Sequence, residues 1–164
     1  MKKISNILLF LLLVGCQLFM LGYGYKTVDV DEYYHFVNLI QTDINYKIVL
    51  LMLILLIVVA ILFVVYFSVT IFLLISNKVL SLELTFNFVY YLVAINLIIT
   101  AFHVFLYEVF KGNSIFALYL NPLVLLSTVV ILILTFFNTR KILASILFSI
   151  LFYVVNLMIT LIFY

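Results

Sequence analysis

The chain has 164 residues, of which 70% are hydrophobic and 9% charged, and its formal net charge is +2. A soluble domain has roughly 45–50% apolar and about 25% charged residues, so the composition predicts a protein embedded in a lipid bilayer. The few cations are scattered, which argues against nucleic acid as a partner. One cysteine excludes an internal disulfide, and no zinc or haem motif is present, so neither a metal nor another cofactor is expected.

Five apolar stretches without Lys, Arg, Asp or Glu are long enough to cross the membrane, because a bilayer core of about 30 Å takes roughly 20 helical residues. These stretches cover residues 4–22, 48–75, 86–107, 115–137 and 142–164. The sequence therefore predicts an all-α fold, a single membrane domain over residues 1–164 built as a polytopic bundle of five transmembrane helices.

The first stretch contains a short motif that would change the number of spans. Lys2 and Lys3 precede an apolar run that ends in Leu-Val-Gly-Cys at residues 13–16. This pattern resembles a bacterial lipoprotein signal, in which Cys16 would be lipidated after cleavage and only four spans would remain. The chain stays apolar through Leu21, however, where a processed lipoprotein usually continues into a polar tether. We therefore favour an uncleaved first span.

Residues 23–47 form the only connection long enough to have structure of its own. Its apolar residues recur at helical spacing and follow acidic residues that suit a helix start, which predicts a short helix lying in the membrane interface. The apolar residues are Tyr33, Phe36, Val37, Ile40 and Ile44, and the acidic ones Asp29, Asp31 and Glu32. His35 falls near the acidic residues, but capping and solvation explain them better than a metal site does.

The third span carries polar side chains spaced by four, three and four residues, which places them within an arc of about 60° on a helix. They are Asn96, Thr100, His103 and Tyr107. Polar residues in a span usually face the interior of a bundle or a cavity. Such a stripe would line a transport path with His103 as proton relay, or would hold neighbouring helices together. Helix packing is the interpretation that we favour.

The last two spans are joined by the short link 138–141, so they are expected to form an antiparallel hairpin. Pro122 lies inside the predicted fourth span and would bend it beside Asn121. Asn121, Thr128 and Thr135 share one face of that span. The fifth span carries a face of small and polar residues that predicts close helix packing, namely Ser145, Ser149, Asn156 and Thr160.

The basic residues near span ends predict an orientation, because Lys and Arg favour the cytoplasmic side. With five spans, one side receives Lys2, Lys3, Lys78, Arg140 and Lys141, and the other receives Lys26, Lys47 and Lys111. The N-terminus is therefore expected inside and the C-terminus outside. The amino-acid usage, rich in Ile, Asn, Lys, Phe and Tyr, is typical of an AT-rich bacterial gene, so we expect the cytoplasmic membrane of a bacterium.

No catalytic motif accompanies these spans, because the sequence has no paired carboxylates, nucleophile triad or phosphate-binding loop. An enzyme is therefore not expected. The preferred hypothesis is an accessory or assembly subunit that docks onto a larger membrane protein, such as a transporter or secretion machine. The alternative is a small homo-oligomeric transporter or channel with the third-span stripe lining its path.

Overall fold

The computed structural model describes residues 2–42, 45–106 and 121–163. Within these ranges the protein is helical and has no strand. We number six α-helices in chain order: α1 Lys2–Val28, α2 Val30–Thr42, α3 Tyr46–Lys78, α4 Phe86–Ala101, α5 Pro122–Thr139 and α6 Ile142–Phe163, with a 3₁₀ helix at Phe102–Leu106 after α4.

Five of the helical segments are long and apolar enough to cross a membrane. They are Ile4–Val28, Tyr46–Lys78, Phe86–Leu106, Pro122–Thr139 and Ile142–Ile159. This confirms the predicted all-helical architecture with five long apolar helices, which is compatible with a multi-pass membrane protein. The described chain divides into two compact units, unit 1 over Met1–Tyr66 and unit 2 over Phe67–Tyr164.

Unit 1 holds α1, α2 and the first part of α3. Helix α1 continues without a break to Val28, past the predicted span end at residue 22. Asp29 separates it from α2, and its carboxylate Oδ1 accepts a hydrogen bond from the backbone N–H of Glu32 at 3.4 Å. This is the N-capping arrangement that satisfies a free N–H in the first helical turn.

Aromatic rings join the end of α1 to α2. The ring of Tyr25 meets those of Tyr33 and Phe36 edge-to-face, with centroid distances of 6.0 and 6.1 Å. Helix α2 buries none of its side chains. A helix therefore occupies the segment where the sequence predicts one, although Ile44 and Asp43 lie outside the described residues. Its position in the interface stays a prediction.

Helix α3 is the longest element, with 33 residues. From Tyr46 to Val64 all of its side chains are exposed or half-buried, whereas Val65, Val69 and Phe72 are buried. The first five turns of this apolar helix therefore present their side chains outward, and burial begins only near its C-terminal third.

Three aromatic rings in the core of unit 2 lie between the end of α3 and α6. The rings of Phe72 and Phe152 stack with centroids 3.9 Å apart and planes 4° from parallel, and Phe148 meets both rings edge-on. Phe148 and Phe152 are almost completely buried. Helix α5 packs against both α4 and α6, so these three helices and the end of α3 form one packed group.

Helix α5 begins at Pro122. The sequence predicted instead that a span starting at residue 115 would bend at this proline. Pro122 is the first helical residue, and Asn121 is the N-cap, accepting from the N–H of Leu123 at 3.0 Å. Proline is favoured at a first helical position because its missing N–H would have no intrahelical partner there. No bend is therefore produced in α5; residues 107–120 lie outside the described part.

The link between α5 and α6 is short. Arg140 caps α5 in the left-handed conformation with φ 59°, and its N–H donates to the carbonyl of Phe136 at 2.8 Å. Helix α6 starts at Ile142, and α5 and α6 pack along each other. The two-residue turn therefore places α5 and α6 side by side.

Candidate functional site

Three polar side chains from three helices meet inside unit 2. Asn96 on α4 and Asn156 on α6 exchange two hydrogen bonds: Asn96 Nδ2 donates to Asn156 Oδ1 at 3.2 Å, and Asn156 Nδ2 donates to Asn96 Oδ1 at 2.9 Å. Ser127 on α5 donates its hydroxyl to the same Asn96 oxygen. All three residues are buried. We call this group the amide cluster.

The amide cluster contains no charged or titratable group. Each carboxamide uses both an N–H and its oxygen within the cluster, and Asn96 Oδ1 accepts from two donors. Unpaired polar groups in hydrocarbon are costly, so pairing across helices fixes which faces meet. The arrangement is suited to hold α4, α5 and α6 in register.

Of the other residues in the predicted third-span stripe, Thr100 and His103 lie in the described part of the chain. Thr100 donates its hydroxyl to the backbone carbonyl of Asn96 at 2.8 Å, within its own helix. His103 lies in the 3₁₀ helix that follows α4 and is half-buried. A 3₁₀ helix has 3.0 residues per turn, so the α-helical spacing on which the stripe was predicted ends before His103. Tyr107 lies outside the described residues.

The predicted fifth-span face is buried where it is described. Ser145, Ser149 and Asn156 are each less than one-tenth exposed. The two serine hydroxyls donate to carbonyls of α6 and its link, Ser145 to Lys141 at 2.8 Å and Ser149 to Ile146 at 2.9 Å. Asn156 alone among them reaches across to α4. The side chain of Thr160 lies outside the described residues.

Asn121, Thr128 and Thr135 were predicted to share one face of the fourth span, and Ser127 was not singled out there. Ser127 makes the cross-helix contact, whereas the Thr128 hydroxyl returns to the carbonyl of Val124 in its own helix at 2.8 Å. The buried side of α5 consists of Val124, Ser127, Ile131 and Thr135. These four residues are spaced by three and four along the helix, but the spacing alone does not show which neighbouring helix they face.

Cys16 lies near the middle of α1, half-buried and not in a disulfide. The helix runs unbroken through residues 13–16, and Leu13 and Val14 are buried. Cleavage before Cys16 would therefore cut a continuous helix. Among the described residues, no group of three or more His, Cys, Asp and Glu side chains could hold a metal ion.

Comparisons of the chain with protein families, with curated proteins and with solved structures find no match.

Proposed function

We propose that the protein is a non-enzymatic accessory or assembly subunit of a larger membrane complex, such as a transporter or a secretion machine. The amide cluster is the observation that carries this proposal. Asn96, Ser127 and Asn156 are buried and hydrogen-bond to one another across three helices. Side chains that line a solute path need polar atoms open to the solute. Here the strongest polar contacts between helices serve packing, which fits a scaffold or docking subunit.

The exposed part of α3 supports a protein partner. From Tyr46 to Val64 most of the large apolar side chains of this helix are exposed, including Leu56 and Phe63. In a membrane such a surface meets lipid or the helices of another protein. Because lipid tails are as apolar as these side chains, contact with a partner helix would depend on close packing. We propose that one side of this segment packs against the larger subunit.

The proposal includes the cytoplasmic membrane of a bacterium as location, with the N-terminus inside. Lys78, Arg140 and Lys141 lie near helix ends of unit 2, the positions where basic residues favour the cytoplasmic side. A cysteine at position 81 in a Cys16→Ser chain should react with an impermeant maleimide from the cytoplasmic side. Reaction only from the opposite side would reverse the orientation.

Site-specific photo-crosslinking tests the partner. A photoreactive phenylalanine analogue placed at Phe63, which is 71% exposed, should give one adduct with a larger membrane protein in living cells. The matched control is the same analogue at Phe72 on the same helix, which is 5% exposed and should give no intermolecular adduct. Affinity purification in mild detergent should recover that same protein in stoichiometric amount. The intact mass of the purified chain shows whether residues 1–15 have been removed at Cys16.

A different outcome would favour the small transporter. Purification of a homo-oligomer without another protein, together with adducts only between copies of this chain, would contradict the accessory role. Loss of solute flux in His103→Ala with unchanged protein level would then assign the third-span stripe to the path. Unaltered flux would leave a homo-oligomer without a transport role for that histidine.

A further inference from the structure

The segment between α3 and α4, residues 79–85, forms hydrogen bonds with the last turn of α3 and with the link between α5 and α6. We call it the strap. Asn77, in the last turn of α3, forms two hydrogen bonds with the backbone of Leu84. Its Nδ2 donates to the Leu84 carbonyl at 2.9 Å and its Oδ1 accepts from the Leu84 N–H at 2.7 Å, and we call this pair of bonds the Asn77 bracket. The N–H of Leu82 donates to the carbonyl of Ser76 at 2.9 Å. The strap therefore folds back onto the helix from which it leaves.

Side chains of the strap alternate between buried and exposed. Leu82 and Leu84 are each 3% exposed, while Ser81, Glu83 and Thr85 are exposed. Two leucines thus insert into unit 2 from a segment without regular secondary structure. Their burial anchors a seven-residue segment that has neither helix nor strand.

The backbone of the strap is strained at the two residues beside Leu82. Ser81 has φ 51° and Glu83 has φ 56°, left-handed values that are uncommon for residues with a Cβ. Such residues keep this conformation only where their surroundings enforce it, and they occur often in switches and clamps. Here the inserted leucines and the Asn77 bracket are the enforcing contacts.

One further bond comes from a distant part of the chain. The ammonium of Lys141, in the link between α5 and α6, donates to the carbonyl of Ser81 at 2.5 Å across 60 residues of sequence. Lys141 is exposed, whereas the Asn77 bracket is part-buried. An exposed hydrogen bond is exchanged for water more readily than a buried one, so this bond is the contact of the strap most easily released.

We propose that the strap is a conformational latch, closed by Leu82, Leu84 and Asn77 and locked by Lys141, which opens as a unit when the Lys141–Ser81 bond is lost. Opening relaxes the left-handed residues and exposes both leucines at the end of unit 2. This inference goes beyond the accessory role and does not depend on it. Lys141 is then a locking residue as well as one of the basic residues that set orientation.

Cysteine accessibility tests the latch in the full chain. Cys16 is the single native cysteine, so a Cys16→Ser chain carrying Leu84→Cys reports only on the strap. Its maleimide labelling in membranes should be at least five-fold faster with Lys141→Gln. Lys78→Gln, which removes a cation at the end of α3, should stay within two-fold of the parent. Leu82→Cys should respond in the same way as Leu84→Cys.

Two further variants separate latch opening from loss of fold. Phe152→Cys, in the core of unit 2, should keep its labelling rate when Lys141→Gln is added, because only the strap opens. Ser81→Gly keeps the carbonyl acceptor but removes the left-handed strain, and should slow labelling at residue 84 at least two-fold. The proposal would be overturned if Lys141→Gln left the labelling rate at residue 84 unchanged, or if Lys78→Gln accelerated it equally. Faster labelling at residue 152 or unchanged labelling in Ser81→Gly would also overturn it.

Discussion

Units 1 and 2 both contain long apolar helices but bury their side chains to different extents. In unit 1, the segment Tyr46–Val64 of α3 leaves its large side chains exposed or half-buried, and α2 buries none. In unit 2, Phe72, Phe148 and Phe152 form a closed aromatic core beside the amide cluster. Apolar surface alone does not bring helices together in lipid. Shape complementarity and polar pairs do so, and unit 2 has both.

The largest expected difference between the units comes from a pair of phenylalanines. Phe152→Ala removes a ring that is 1% exposed and stacked on Phe72, and should lower the free energy of unfolding by about 3 kcal/mol because a cavity remains. Phe63→Ala, at a ring 71% exposed, should change it by less than about 0.5 kcal/mol. Reversible unfolding in mixed micelles provides both values. Equal losses would mean that α3 of unit 1 is packed as tightly as the core of unit 2.

A smaller effect is expected from the amide cluster. Asn156→Ala leaves one N–H and one oxygen of Asn96 without their amide partner, and should destabilise unit 2 by about 1–2 kcal/mol. In a double-mutant cycle, Asn96→Ala and Asn156→Ala should show a coupling energy of about 0.6–1.7 kcal/mol. Thr128→Ala is the control, since its hydroxyl bonds only within α5. If the two single effects were additive, the Asn96–Asn156 pair would not contribute to the stability of unit 2.

The smallest effect is expected in unit 1. Asp29→Ala removes the N-cap of α2 and should cost about 0.5–1 kcal/mol, seen as faster amide hydrogen exchange in Val30–Thr42 alone. Asp29→Asn keeps the side-chain acceptor and should retain the slower exchange. Faster exchange in α5 or α6 as well would show that the fold of unit 2 depends on α2.

Much of the architecture could be predicted from the sequence. Long runs without charge predicted five apolar helices, because a charged residue inside a span is costly. Helical spacing also picked out Asn96 on one span and Asn156 on another. Nothing in the spacing showed that these two amides face each other, since helix rotation and neighbour order depend on packing between distant residues. Ser127 was missed for the same reason.

Local features at helix ends and between helices were predicted less well. Pro122 was expected to bend a helix, but Asn121 before it is an N-cap and makes the proline a first helical residue. The strap could not be predicted, because Ser81 and Glu83 take left-handed conformations that neither residue type favours. The burial of Leu82 and Leu84 and the two hydrogen bonds from Asn77 to Leu84 enforce that backbone.

The unequal lengths of the spanning helices have a consequence for the membrane itself. Helix α5, with 18 residues, is about 27 Å long and matches a bilayer core of about 30 Å, whereas α3, with 33 residues, is about 50 Å long. Even its 28 uncharged residues from 48 to 75 would need a tilt of about 45° to fit, beyond the usual range of about 0–40°. A thicker bilayer relieves this hydrophobic mismatch for α3 and creates one for α5. Bilayer thickness is therefore a physical variable that acts on the two helices in opposite directions.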